Sequence, residues 1–166
     1  KNGDLFTSSK DEKGKWKQVE ELQGEVNTEL DEGAPGITPD GQTMYLTVCP
    51  VDEQYPRSAE IHSSARSDAT WAKPVKLEIT SDTLSSYAHP AVSPDGQWLY
   101  FVSDMPGGLG GMDIWRMQLS EHGAGVIENL GAPINTEGDE MFPTFRPNGD
   151  LYFSSNGHVG MGGLDI

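Results

Sequence analysis

The strongest constraint on what this chain can fold into is a repeat. Thr38-Pro39-Asp40-Gly41 returns as Ser93-Pro94-Asp95-Gly96 and again as Arg146-Pro147-Asn148-Gly149, with the prolines 55 and 53 residues apart. Each copy runs into an apolar strand: Met44-Tyr45-Leu46, Leu99-Tyr100-Phe101 and Leu151-Tyr152-Phe153. Each is preceded by a further proline, at Pro35, Pro90 and Pro143. A unit of this size cannot bury its apolar faces alone, so a chain made of such units stacks them.

The match extends beyond the turn. Leu22 to Gly41 lies over Leu130 to Gly149 without a gap. Within that stretch Val26-Asn27-Thr28-Glu29 matches Ile134-Asn135-Thr136-Glu137, and Asp31-Glu32 matches Asp139-Glu140. A further register links Asp4-Leu5-Phe6, Glu60-Ile61, Asp113-Ile114-Trp115 and Asp165-Ile166, at spacings of 56, 53 and 52 residues.

Each unit reads as four short strands. The first precedes the Pro-Asp-Gly turn, as in Ala88 to Ser93, and the second follows it, as in Gln97 to Ser103. The third opens at the Asp-Ile pair, Asp113 to Leu119. The fourth is Val126 to Leu130, matched by Lys17 to Leu22 and Pro74 to Ile79. The turn has a mechanism: proline fixes φ, the Asp or Asn side chain bonds back to the backbone, and glycine takes φ > 0. Pro39, Asp40, Gly41, Pro94, Asp95, Gly96, Pro147, Asn148 and Gly149 are therefore structural marks of the repeat, as are Asp113 and Ile114. Four antiparallel strands per unit of roughly 40–55 residues describe a β-propeller blade. The expected fold is all-β. Residues 1–166 form one propeller region, with units at about 4–59, 60–112 and 113–166.

On those residues a resemblance can be named. Ala91-Val92-Ser93-Pro94-Asp95-Gly96-Gln97-Trp98-Leu99-Tyr100-Phe101-Val102-Ser103-Asp104 resembles the WD40-like β-propeller repeat (PD40) of TolB-type propellers. A longer pattern is similar to the propeller of Bacteroidetes outer-membrane-associated OmpA-family proteins. It comprises Leu130 to Thr136, Asp139-Glu140, Leu151 to His158 and Gly160 to Ile166. Some of that family, the PorE-like lipoproteins, serve type IX secretion. The resemblance implies a periplasmic place or the periplasmic face of the outer membrane, and a parent protein anchored to peptidoglycan through another domain. The tetratricopeptide and OmpA-like parts of such proteins fall outside these 166 residues.

Composition narrows the partners. With 11 Lys+Arg against 26 Asp+Glu the formal charge is −15, which repels nucleic-acid phosphates and anionic lipid. Neither nucleic-acid binding nor direct membrane insertion is expected, and no apolar run reaches membrane-spanning length. Lys1-Asn2-Gly3-Asp4 does not read as a signal peptide. The single cysteine, Cys49, cannot form an internal disulfide, and without a Cys/His cluster a structural zinc site is not expected. The 20 glycines and 11 prolines argue for short elements joined by turns.

The repeat starts and stops at one point of its period, just at the third strand. Three blades do not close a ring. The expectation is an arc of about three units from a larger, six-bladed propeller. A sharper version is a homodimer in which two chains close the six-bladed ring.

Antiparallel order puts the Pro-Asp-Gly turns on one rim. The strand two–three and strand four–one loops share the opposite rim, which collects the candidate binding residues: Asp104, Asn135, Asp139, Glu140, Asn156 and His158. Clustered carboxylates there raise calcium as an alternative, at Asp139 and Glu140. The middle repeat, Asp82 to Tyr87, lacks the acidic pair, and the spacing is not that of an EF-hand. Bracing of the loops by side-chain-to-backbone bonds is the plainer reading. The Gly-rich loops, residues 104–111 and 156–163, carry no phosphate-binding lysine and open no helix, so glycine is read as serving φ > 0 and close packing. His62, His89, His122 and His158 are scattered, with His89 and His158 placed on or near the loop rim. No Gly-x-Ser-x-Gly elbow occurs. Ser93-Pro94-Asp95-Gly96 is superficially similar to a sialidase Asp-box, but its Gly follows Asp directly. Trp16 and Trp71 hold matching positions and are read as outer-strand packing.

The expected function is a non-enzymatic propeller scaffold that presents a rim to protein partners, or to the remainder of its own propeller, without cofactors. The alternative is a ligand-, glycan- or metal-binding propeller, or the propeller part of a hydrolase.

Overall fold

The structure, a computed structural model, describes residues 3–50, 58–120 and 123–166. His122 lies outside the described residues. Every regular element among those described is a strand. β1 (Phe6–Thr7) and β2 (Glu20–Glu21) pair antiparallel. The next sheet is β3 (Asp31–Ile37), β4 (Thr43–Cys49) and β5 (Glu60–Ser67), with β6 (Thr70–Trp71) and β7 (Val75–Lys76) both paired to β5. Then come β8 (Tyr87–Val92), β9 (Trp98–Ser103), β10 (Asp113–Ser120) and β11 (Gly123–Asn129), a four-stranded antiparallel meander. Last are β12 (Glu140–Phe145) and β13 (Leu151–Ser155), whose sheet is continued by a Ser155–Asp165 bridge.

These are successive blades, the third strand falling at the Asp-Ile register and the first and second flanking the Pro-Asp-Gly turn. The fourth strand is shorter than its sequence suggests in the first two blades, with two residues in β2 and two in β7, whereas β11 runs to seven. In the first case the backbone leaves its own blade for the next. Trp71 N–H donates to Gln23 O at 2.9 Å and Glu25 N–H to Trp71 O at 2.8 Å. In the second, Pro74 supplies no N–H to extend the ladder.

Apolar alternation fills the gaps between blades. On β4, Met44, Leu46 and Val48 face back to Leu5, Leu22 and Val26 of the first sheet, together with Trp71. In the next gap Ile61, Leu77 and Ile79 meet Leu99, Phe101, Trp115 and Met117 of the four-stranded sheet. Beyond it Tyr100 packs edge-on against Phe145, with ring centroids 4.8 Å apart. The two equivalent tryptophans part company here. Trp71 is buried in the first gap, whereas Trp16 is 69% exposed with the Lys10 ammonium over its face at 5.0 Å. Outer-strand packing therefore describes Trp71 alone, because Trp16 stands open to solvent and belongs to neither core cluster.

The first strands β3, β8 and β12 lie side by side, and each is broken at the same place. The register slips between Gly33 and Gly36, between Ala88 and Ala91, and between Met141 and Thr144. At each slip a non-glycine residue with positive φ precedes proline: Ala34 (43°), His89 (51°) and Phe142 (55°). Proline has no N–H to give the ladder, so the strand bulges there and turns one side chain out of the pleat.

Candidate functional site

The turn rim is self-contained. Thr38 Oγ1 donates to Asp40 Oδ1 at 2.6 Å, Gln42 N–H donates to the same oxygen at 3.0 Å, and Gly41, at φ 71°, closes the turn onto Thr38 O. Ser93, Asp95, Gly96 and Gln97 repeat the arrangement. The Thr38 hydroxyl, then the Gln42 amide, hold the Asp40 carboxyl below its ordinary range, and Ser93 and Gln97 do the same for Asp95. In the third copy Asn148 accepts from Asp150 N–H at 3.2 Å and donates to its carboxylate at 2.8 Å.

The opposite rim is built from four repeated devices. Asparagine acts as a substitute strand. Asn135 Oδ1 accepts from Ile114 N–H and its Nδ2 donates to Ile114 O, both at 2.9 Å. Asn27 does the same to Leu5, at 2.8 and 3.0 Å. Aspartate closes the Gly-rich loop. Asp113 accepts from the Leu109 and Gly110 amides and from Asn129 Nδ2, while Asp165 accepts from Met161 and Gly162. Glycine lets neighbouring loops touch: a Cβ at Gly110 would overlap the carbonyl oxygens of Gly138 and Thr136. Glutamate ties threonine. Glu140, fully buried, accepts from Thr136 N–H (2.9 Å), Thr136 Oγ1 (2.7 Å) and Ser155 Oγ (2.6 Å).

The remaining candidates join the same frame. Asp139 Oδ1 accepts from Met112 N–H at 2.9 Å and its Oδ2 from Asn156 Nδ2 at 3.1 Å, while Asn156 Oδ1 accepts from Asp139 N–H at 2.7 Å. Asp104 Oδ1 accepts from Ser86 N–H at 2.8 Å, and the His158 Nε2 proton points to Ile134 O at 3.0 Å. Asn135, Asp139, Glu140, Asn156 and His158 are thus brought together on one side of the last blade gap, and Asp104 sits on a separate loop. Every carboxylate oxygen of Asp139 and Glu140 accepts a hydrogen bond from the protein. A cation at that pair would have to break those bonds. Among the described residues no three His, Cys, Asp or Glu side chains are grouped to hold a metal ion.

His89 is not on the rim. It lies in the middle of β8, on the row of bulges along the three first strands. Its ring stacks on that of Phe142 at 3.9 Å and 25°, and Phe142 N–H approaches His89 Nδ1 at 3.4 Å. Its own N–H donates to Thr47 Oγ1 at 2.9 Å, tying it to the preceding blade. Burial holds the imidazole pKa below its ordinary value. A concavity of about 400 Å³ opens beside this pair, lined by Ala34, His89, Phe142, Phe153 and Ile166 among others. These axial residues have a sequence signature: each is the residue before Pro35, Pro90 or Pro143. The recurrence of those prolines marks the place, but the positive φ that aims Ala34, His89 and Phe142 inward is not readable from it.

No protein-family model matches this sequence, and no curated protein matches it. Solved structures do. A protein assigned as TolB from Agrobacterium tumefaciens is 24% identical with a TM-score of 0.54, over 90% of this chain and 49% of that one. TolB from Acinetobacter baumannii is 19% identical with a TM-score of 0.51, over 92% and 31%. The fold is a β-propeller. A puromycin-hydrolysing peptidase from Mycobacterium tuberculosis matches as well, at 20% identity and a TM-score of 0.53, over 88% of this chain and 21% of that chain. The chain therefore spans about half or less of the length of each of these neighbours. The sheets and the side-by-side first strands form a partial propeller, with the bulge row along its inner side.

Proposed function

We propose that this propeller is a non-enzymatic scaffold that engages a protein partner through its axial row, with the loop rim as the frame. The carrying observation is the His89–Phe142 stack beside an apolar concavity. Three X-Pro bulges hold such side chains out of the pleat, at a backbone cost of order 1–3 kcal/mol each, and strain of that kind clusters at binding sites. The described histidine rings have other engagements than activating a nucleophile: His62 meets Glu60, His89 meets Phe142, and His158 meets Ile134 O. The peptidase likeness concerns a protein of which this chain covers 21%. In this proposal Asp104, Asn156 and His158 are the exposed rim residues closest to a partner, while Asn135, Asp139 and Glu140 order the loops. A charge of −15 favours a partner with a basic surface around an apolar anchor.

The likeness to TolB propellers supports a periplasmic location. The resemblance of residues 130–166 to OmpA-family propellers of Bacteroidetes supports a place in a peptidoglycan-anchored or type IX secretion assembly at the outer membrane. The units at about 4–59, 60–112 and 113–166 would then be half of a six-bladed ring, completed by the parent protein or by a second copy.

A photo-crosslinking residue at Phe142, compared with one at Val126 on β11, tests this in the native host. The expected result is a discrete protein adduct from Phe142, lost on His89→Ala, and none from Val126. Equal labelling from both positions would refute an axial site. Sedimentation equilibrium separates the two closures, since a 36 kDa species against the 18.0 kDa chain marks the homodimer.

A further inference from the structure

Two of the X-Pro bulges are held in different ways. At His89 the bulge N–H donates to the Thr47 hydroxyl of the preceding blade at 2.9 Å, an acceptor that does not titrate. Thr47 stands opposite Gly33, the residue before Ala34, and Val102 stands opposite Ala88, the residue before His89. Val102 is therefore the repeat counterpart of Thr47, placed to serve the next bulge, at Phe142. Its fully buried side chain has no oxygen to offer. The Phe142 N–H turns instead to His89 Nδ1, at 3.4 Å.

An imidazole nitrogen accepts only while it is unprotonated, so this bond assigns the ring proton to Nε2. The same ring lies on that of Phe142, with centroids 3.9 Å apart. One neutral side chain thus holds both the backbone and the ring of Phe142. The groups around the imidazole are uncharged. β12 gives the Phe142 ring, β4 gives the Thr47 hydroxyl, and β3 gives Ala34 to the shared cavity. β13 gives Tyr152 to that cavity, with the Arg146 guanidinium over the tyrosine ring at 4.8 Å. Among the described residues no Asp, Glu or Lys lines it. Burial alone lowers the imidazole pKa, and no carboxylate opposes it.

Protonation makes Nδ1 a donor facing a donor. Phe142 N–H then loses its acceptor, and the cation has no carboxylate beside it. Attraction of an imidazolium for the Phe142 ring face acts the other way, but it restores neither the acceptor nor the lost hydration.

We propose that His89 is a proton-operated latch on the axial row: neutral, it holds Phe142 in the stack that a partner meets, and protonated, it releases Phe142 and the partner with it. This rests on the axial site proposed above and adds its regulation. The latch opens on the acid side of the ordinary imidazole value of about 6.5, because burial disfavours the charged ring.

Nuclear magnetic resonance of the isotope-labelled chain tests the latch without a partner. Near neutral pH the His89 ring should carry its proton on Nε2. On acidification the Phe142 amide resonance should move with the same midpoint as the His89 ring. Val102→Thr supplies the hydroxyl that Thr47 supplies to His89, and in that variant the Phe142 amide should no longer follow the ring. A photo-crosslinking residue at Phe153, on the cavity wall, reads the partner in the native host. Adduct yield should fall about tenfold per pH unit below the midpoint, and Val102→Thr should keep its adduct there. A ring proton on Nδ1 at neutral pH, a Phe142 amide that ignores the His89 titration, or an acid loss of adduct as steep in Val102→Thr as in wild type overturns the latch. Absence of any adduct from wild type at every pH refutes the axial site instead, and the resonances then decide the latch by themselves.

Discussion

Replacing Asn135 by Ala tests the central claim about the rim, that a side chain substitutes there for a strand. The amide makes three bonds: from Ile114 N–H, to Ile114 O and to Asn129 Oδ1, each at 2.9 Å. The two acceptors keep other donors, since Leu130 N–H reaches Ile114 O at 3.1 Å and Gly131 N–H reaches Asn129 Oδ1 at 2.8 Å. Ile114 N–H is the group left stranded, on a residue with no exposed surface and beside an asparagine that is itself 2% exposed. A buried donor without a partner costs about 1–3 kcal/mol and each lost bond about 1 kcal/mol, so Asn135→Ala should destabilise by about 3–5 kcal/mol. Asn27 makes the matching pair of bonds to Leu5 but is only half-buried. Water can enter there, and Asn27→Ala should cost about 1–2 kcal/mol. Urea titration and thermal melting read both. For a chain of this size about 3 kcal/mol corresponds to a fall of about 6–12 °C in Tm. Equal losses for the two variants, or a loss under about 1 kcal/mol for Asn135→Ala, would show that burial does not set the value of this bond and that the reasoning is wrong.

Other consequences can be measured alongside. Ile114→Ala removes a fully buried side chain beside the same loop and should cost about 2–5 kcal/mol in denaturant; a loss below about 0.5 kcal/mol would contradict the register. Burial holds His89 below its ordinary pKa, so the unfolded chain binds the proton more readily. Its contribution to stability is complete above the unfolded value of about 6.5 and is lost as pH falls through the depressed folded value. Melting temperature should drop on mild acidification, and His89→Gln should flatten that slope; an unchanged slope would remove His89 as the cause. Millimolar calcium should leave Tm unmoved, because the Asp139 and Glu140 oxygens already accept protein donors. A calcium-dependent rise abolished by Asp139→Asn would overturn that expectation.

Much of this protein is written locally. Pro39-Asp40-Gly41 and its copies specify turns by their own backbone preferences, and the strands they join alternate apolar and polar residues at the period of a pleated sheet. Recurrence of both at a spacing of 53–55 residues is enough to yield stacked all-β blades, since a single blade has nowhere else to bury Leu99 and Phe101. The Asp-Ile register likewise foretells a buried third strand.

What the tertiary structure alone decided are properties of pairs of blades. Whether Asn135 or Glu140 meets a partner molecule or its own backbone depends on the loop opposite, which the linear pattern does not place. Whether a tryptophan is buried depends on the neighbouring strands, so Trp16 and Trp71 share a repeat position and not a fate. His89 reads as a strand residue on or near the loop rim until the bulge before Pro90 turns it onto Phe142, 53 residues away. Glu32 and Glu140 look alike until Val48 and Ser155 are seen across the ladder, and only Glu140 gains a hydroxyl donor from the neighbouring strand. Local preferences fix φ, ψ and the period of burial. The partner of a polar group is set by which blade packs against which, and the function proposed here rests on those partners.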